Sequence, residues 1–293
     1  DPDERPVVGD FVEIEQSAPP KITRVLPRRG ALTRAAAGER YVRQIIATNI
    51  DVVFVLTGLD HDFNPARIER YLALIEGSGA QPVIVLTKAD KLESSACADA
   101  LAQLASRLPD AVPMHAINAK DPASVVVLNP YLASGISAVL VGSSGAGKST
   151  LTNTLLGEAR MATAATRASD GRGRHTTSYR ALLLLPSGAC LIDTPGMREL
   201  KLTGEENLEV FADIDALVTQ CRFADCGHGN EPDCAVRAAL DSGELDPARW
   251  RHYLKLRGEH DAQAAQIEER MRRDEIRSAS HKQRHLTRDR ERR

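Results

Sequence analysis

A few short stretches of this chain carry residue types whose spacing could do chemistry. Gly142 to Ser149 (GSSGAGKS) fits the pattern G-x-x-x-x-G-K-[ST]. It lies between an apolar strand candidate, Ile136–Val141, and a helix that begins near Lys148, which is the context this pattern requires. Gly142, Gly145 and Gly147 let the backbone wrap closely, so that N–H groups along Gly142, Ser143, Ser144, Gly145, Ala146 and Gly147 point at phosphate, and the helix N-terminus adds its dipole. Lys148 then reaches β- and γ-phosphates, Ser149 holds Mg²⁺, and Thr150 continues the cradle. This loop predicts a nucleoside triphosphate and says nothing of the base.

Downstream, Asp193 to Gly196 (DTPG) follows the apolar run Ala189–Ile192. An Asp at a strand end holds Mg²⁺, usually through water, and the Gly196 N–H can contact a γ-phosphate. Between the two lies Gly171 to Ser178 (GRGRHTTS), polar and glycine-rich. A hydroxyl of Thr176 or Thr177 could close on Mg²⁺ while the γ-phosphate is present, as a switch does; an ordinary polar loop would read the same way. Upstream, Thr87-Lys88-Ala89-Asp90 (TKAD) follows the strand candidate Val83–Leu86 and resembles the N/T-K-x-D base-recognition motif. Asp90 can accept two hydrogen bonds from guanine, whereas adenine has no N1–H and would leave the carboxylate desolvated and unpaired. Lys88 would lie over the base plane. Asn118-Ala119, in the segment HAINAK, would supply a further base contact, with Asn where Ser is usual. The base motif precedes the phosphate loop, the reverse of the ordinary order, so the domain reads as a circular permutation.

Cys221, Cys226, His228 and Cys234 form C-x4-C-x-H-x5-C. Three thiolates and an imidazole fill a tetrahedral shell, which predicts one structural zinc. Cys97 and Cys190 read as core residues within a helix and a strand.

These residues need elements to hold them. Val52–Leu56 is a continuous apolar run, as expected of a parallel strand covered on both faces. Asn64 and Pro65 open a helix with the stripe Ile68, Tyr71, Leu72 and Ile75. Further strands are expected at Val83–Leu86, Ala111–Ile117 and Ile136–Val141, with a helix around Leu101–Leu108. This alternation predicts a doubly wound α/β domain over 48–204. Residues 1–47 read as short strands, Gly9–Glu15 and Ile22–Leu26 among them. From Lys21 to Arg43 there are seven basic residues and one acid, either a solvated face or an RNA-facing β-barrel. Residues 205–293 read as mostly helical, with candidates at Leu208–Leu217, Cys234–Leu240 and from Asp246 onward. Arg277 to Arg293 reads as a frayed or disordered basic tail.

Five cysteines, an odd count with three in one window, suit a reducing compartment, and we expect a cytoplasmic chain. No apolar run approaches a membrane span. The net charge of −2 argues against a uniformly basic nucleic-acid binder.

Together the basic β-module, TKAD, GSSGAGKST, GRGRHTT, DTPG and the Cys/His cluster resemble the RsgA/YjeQ family of small-ribosomal-subunit GTPases. The resemblance covers nearly the whole chain. It implies a multidomain α/β protein: an N-terminal OB-fold barrel, a circularly permuted P-loop GTPase domain and a mostly helical zinc-binding domain. It implies GTP hydrolysis stimulated by the small ribosomal subunit and its rRNA during late maturation of that subunit, with Zn²⁺ as structural ion and Mg²⁺ accompanying GTP or GDP, and we expect a monomer. Residues 1–47 are short for a complete OB barrel, so a strand or more is expected upstream of Asp1. Met197 stands where signalling GTPases place a water-orienting Gln, and the resemblance implies that His175 takes over the attacking water. Two other readings differ in class: an RNA-binding assembly factor in which hydrolysis is dispensable, and a P-loop kinase or ATPase.

Overall fold

The computed structural model of the chain describes residues 5–35, 43–109, 111–159, 181–193 and 202–291, with backbone alone at 193 and 277–291. Its centre is a six-stranded sheet in the order β7-β6-β5-β8-β10-β9. The strands are β5 (Val52–Gly58), β6 (Gln81–Thr87), β7 (Met114–Ala116), β8 (Ser137–Gly142), β9 (Ala181–Leu184) and β10 (Cys190–Asp193). All pair in parallel except the edge strand β9, which runs antiparallel to β10.

Side chains on β5 alternate between two cores, as the period of two demands. Val53 and Val55 face one core with Ile84, Leu86, Val139 and Val141. Val52, Phe54 and Leu56 face the other with Val83, Val85, Ala138 and Leu140. The first core is closed by α1 (Pro65–Glu76) and α2 (Ser94–Ala105), the second by α3 (Pro122–Val125) and α4 (Lys148–Leu156). The Asn64 side chain caps α1 by accepting from the Arg67 N–H, with Pro65 in the first turn, as expected. Helix α2 lies earlier than the 101–108 expectation: it ends at Ala105, residues 106–108 turn ahead of Pro109, and a residue before proline resists the α conformation.

At the N-terminus, β1 (Val12–Glu15) pairs with β2 (Lys21–Val25), and β3 (Ala31–Ala35) with β4 (Arg43–Thr48). These are two separate antiparallel pairs, and no closed barrel forms among the described residues. Among the described residues, basic side chains there pair with carboxylates: Arg24 with Glu13, Arg28 with Asp10, Arg29 with Asp51 and Arg43 with Glu205.

The C-terminal part contains α5 (Ala212–Thr219), α6 (Ala235–Ser242) and α7 (Pro247–Glu291). Phe211, Ile214, Val236, Ala239, Tyr253 and Leu256 share the first core with α1 and α2. Ion pairs rivet the contact. Glu69 on α1 is fully buried and accepts from Arg107 (3.3 Å), Arg249 (3.1 Å) and His252 (2.7 Å). Arg70 pairs with Glu259 through two 2.8 Å bonds, and Glu76 accepts from the Glu209 N–H. The expected frayed tail is instead helix, since α7 runs to Glu291; Arg, Glu, Lys, Gln and Ala are strong helix formers that sustain a turn without burial. No helix of the described residues is long and apolar enough to cross a membrane.

Candidate functional site

The parallel strands deliver their carboxyl ends to one edge of the sheet. Chain connections leave β5 toward β6 and β8 toward β10, so the crevice between β5 and β8 is the topological switch point, where ligands bind in such sheets. GSSGAGKS begins as β8 ends at Gly142 and finishes in α4. Gly142 has φ 146°, and a Cβ there would lie 2.3 Å from the Leu56 carbonyl oxygen, so no other residue passes β5 this closely. Lys148 Nζ donates to the carbonyls of Gly142 and Ser143, each at 2.6 Å. No side chain caps α4, which leaves its first N–H groups available to an anion. Ser144 and Gly145 are exposed, and Ser149 and Thr150 half-buried at the start of α4.

TKAD begins with the last residue of β6. Thr87 is fully buried, and its hydroxyl donates to the Ala146 carbonyl at 2.7 Å, which ties the base motif to the phosphate loop. A Cβ on Gly147 would stand 3.2 Å from the Thr87 oxygen, so the two segments are in close contact. Lys88 takes a left-handed backbone with φ 63°, and Ala89–Lys91 form a 3-10 turn that leaves Asp90 exposed at the sheet edge. The neighbouring strand β7 ends at Ala116. The Ala89 N–H donates to the Ile117 carbonyl at 3.1 Å, and the Thr154 hydroxyl of α4 donates to the Ala119 carbonyl at 2.7 Å. The Asn118 side chain accepts from the Lys120 N–H at 3.0 Å and so shapes its own turn. The structure therefore gathers Thr87–Asp90, Asn118, Ala119 and Gly142–Thr150 at one edge. The backbone of Asp193 ends β10 on that edge, beside β8. The Asp193 side chain, and His175, Thr176, Thr177, Gly196 and Met197, lie outside the described residues.

The Cys/His cluster forms a second centre. Ligand atoms of Cys221, Cys226, His228 and Cys234 all lie within 4.8 Å of one another. Cys221 Sγ and Cys234 Sγ are 3.9 Å apart, and each is 3.6 Å from His228 Nδ1. A tetrahedral ion with metal–sulfur bonds of about 2.3 Å and metal–nitrogen bonds of about 2.0 Å sets edges of roughly 3.8 and 3.5 Å. The cluster fits a metal ion. Glu231 accepts from the Gly227 and Gly229 N–H groups and shapes the turn, with His228 at φ 57°. The His228 ring meets Trp250 of α7 edge-on at 5.5 Å.

A family model described as RsgA GTPase matches residues 25–203. A curated relative, the small ribosomal subunit biogenesis GTPase RsgA of Xanthomonas euvesicatoria pv. vesicatoria (strain 85-10), is 61% identical over 258 residues, covering 87% of this chain and 70% of the relative. The chain belongs to the RsgA GTPase family. The protein of the same name from Xanthomonas oryzae pv. oryzae (strain MAFF 311018) is 60% identical over the same shares. Among solved structures, YjeQ from Thermotoga maritima superposes with a TM-score of 0.60 at 26% identity, over 86% of this chain and 83% of that one. YloQ, described as a circularly permuted GTPase, gives 0.58 at 25% identity, over 88% and 82%. As an RsgA GTPase, the chain hydrolyses GTP.

Within the RsgA fold the structure adds two carboxylates that the motifs do not mark. Asp60 and Asp62 sit in the loop between β5 and α1. Lys88 Nζ donates to Asp60 at 2.7 Å, and the Ser143 hydroxyl lies 2.6 and 2.5 Å from the two oxygens of Asp62. The signal available in the sequence was a D-x-D directly after a buried strand that ends at a switch point.

Proposed function

We propose that the chain binds GTP at the β5/β8 crevice and hydrolyses it on the small ribosomal subunit, late in the maturation of that subunit, with hydrolysis timing release. The observation that carries this is the meeting of TKAD and GSSGAGKS at one sheet edge through the 2.7 Å Thr87–Ala146 bond. The name of the Xanthomonas relatives supports the choice of partner. In this reading Gly142–Thr150 cradle the phosphates, and Lys148 turns from its carbonyl rests to the β/γ-oxygens. Asp90 selects guanine, with Lys88 over the base and Asn118-Ala119 alongside. Ser149 and Asp193, with Thr176 or Thr177, hold Mg²⁺, which when bound offsets charge on the β- and γ-oxygens. Gly196 contacts the γ-phosphate, and His175 orients the attacking water.

The Cys221, Cys226, His228 and Cys234 set holds one Zn²⁺ and closes its shell, so that ion is structural. Residues 1–47 belong to an OB-fold that faces rRNA, 48–204 form the permuted GTPase domain, and 205–293 the zinc-binding helical domain. Exposure of Phe11, Ile14 and Ile22, the first at 60%, supports the N-terminal assignment; an open barrel shows such residues, and aromatic rings there can stack on bases. The protein acts as a monomer.

The deciding measurement is GTPase turnover with and without purified small ribosomal subunits. We expect strong stimulation, with Asp90→Ala losing preference for GTP over ATP. Unstimulated turnover removes the partner, and equal GTP and ATP affinity in the unaltered protein removes the guanine reading.

A further inference from the structure

We propose that Asp60 and Asp62 form a two-carboxylate bracket that positions the base side and the phosphate side of the nucleotide site relative to each other. This rests on the reading that Thr87–Asp90 faces the base and Gly142–Ser149 faces the phosphates.

Strand β5 lies between β6, which carries the base motif, and β8, which carries the phosphate loop. Its exit loop is therefore flanked by both. Asp60 takes the base side: one oxygen accepts from Lys88 Nζ at 2.7 Å, the other from the Asp62 N–H at 3.1 Å. The Lys88 ammonium holds the Asp60 carboxyl below its ordinary range. Asp62 takes the phosphate side. It is 8% exposed and accepts from Ser143 Oγ, from the Gly58 N–H (3.2 Å) and from Arg67 (2.5 Å).

Two carboxylates beside a phosphate site would oppose binding if their charge were free. Here Lys88 matches one and Arg67 the other, so the bracket works by geometry rather than by attraction or repulsion. Two details indicate that the geometry is specified. A Cβ on Gly58 would lie 2.8 Å from Asp60 Oδ1 and 2.9 Å from Lys88 Nζ, so the pair packs directly against the end of β5 and a side chain there would displace it. Position 143 is an unrestricted x in the phosphate-loop pattern, yet its hydroxyl is engaged by Asp62, and its carbonyl is one of the two rests of Lys148. Tethering Ser143 thus fixes where Lys148 starts. Asp60 in turn fixes the arm of Lys88.

A role confined to stability and a positioning role separate in a nucleotide series. Binding of GTP, GDP and GMP is measured by competition for the full chain and its variants, together with Tm. Asp60→Ala is expected to weaken all three nucleotides by the same factor, roughly tenfold, as loss of a charge-assisted hydrogen bond implies. Ser143→Ala is expected to weaken GTP and GDP roughly tenfold while leaving GMP unchanged, because Lys148 addresses the β- and γ-phosphates. If Asp60→Ala does not fold, the isosteric Asp60→Asn carries the same test with a loss of about threefold. Unchanged affinities in folded variants overturn the bracket, as does a loss in Ser143→Ala that is equal for GMP and GTP. Unaltered protein that fails to prefer GTP over ATP overturns the underlying reading instead.

Discussion

Glu76, at the end of α1, is a carboxyl whose surroundings work against its charge. Burial, with Glu209 and Glu206 nearby, pushes it up to about 7 from an ordinary 4.5, although the Glu209 N–H donates to it. The folded chain therefore binds this proton more tightly than the unfolded chain does. The stability that Glu76 contributes is full below about pH 4.5 and is lost as pH rises through about 7. Glu76→Gln keeps an oxygen for the Glu209 N–H and cannot ionise. Thermal denaturation at pH 5 and pH 8 should show Tm falling further with pH in the unaltered protein than in Glu76→Gln; parallel profiles would contradict this.

Helix α1 shows how a single element can join distant parts of a sequence. Glu69→Ala would leave Arg249, 5% exposed, and His252 facing an empty position. Breaking a buried pair on one side costs about 3–5 kcal/mol. Urea unfolding should report that loss, whereas Arg222→Ala, whose pair with Asp233 is exposed, should cost less than about 1 kcal/mol. The same helix marks what the sequence could disclose. Its cap, its proline and its stripe are local, and local backbone demands leave residue-type signatures; Gly142, Gly147 and Lys148 were readable for the same reason. Glu69 was not, because its partners lie 38, 180 and 183 residues away and an acid on a helix resembles any solvated residue. Strand β9 was missed because the exposed Leu182 and Leu184 give an edge strand no buried signature. The end of α7 was misread because high polarity marks solvation, not coil, when the residues are helix formers.

At the scale of the whole molecule, the Cys/His cluster and the sheet are parts of one packed body. Cys234 is buried, caps α6 through the Arg237 N–H, and contributes to the core shared with α1. Metal removal by a strong chelator should therefore lower the Tm of the entire chain in a single transition, read by circular dichroism with metal release followed in parallel. Cys226→Ser should reduce bound metal from one equivalent toward none. A transition confined to the helical part, with the sheet unaffected, would count against this continuity.

Helix α1 begins at the loop that grips Lys88 and Ser143, and it is bolted along its length to Arg249, His252 and Glu259. The grip and the bolts thus belong to one stiff rod, so the two regions share a thermodynamic cycle. Whatever factor a partner seated on α7 imposes on the ratio of GTP to GDP affinity, the exchange of GTP for GDP must impose on that partner's own affinity. The change in nucleotide preference measured at one end of the rod is therefore also a measurement of the change in partner affinity at the other.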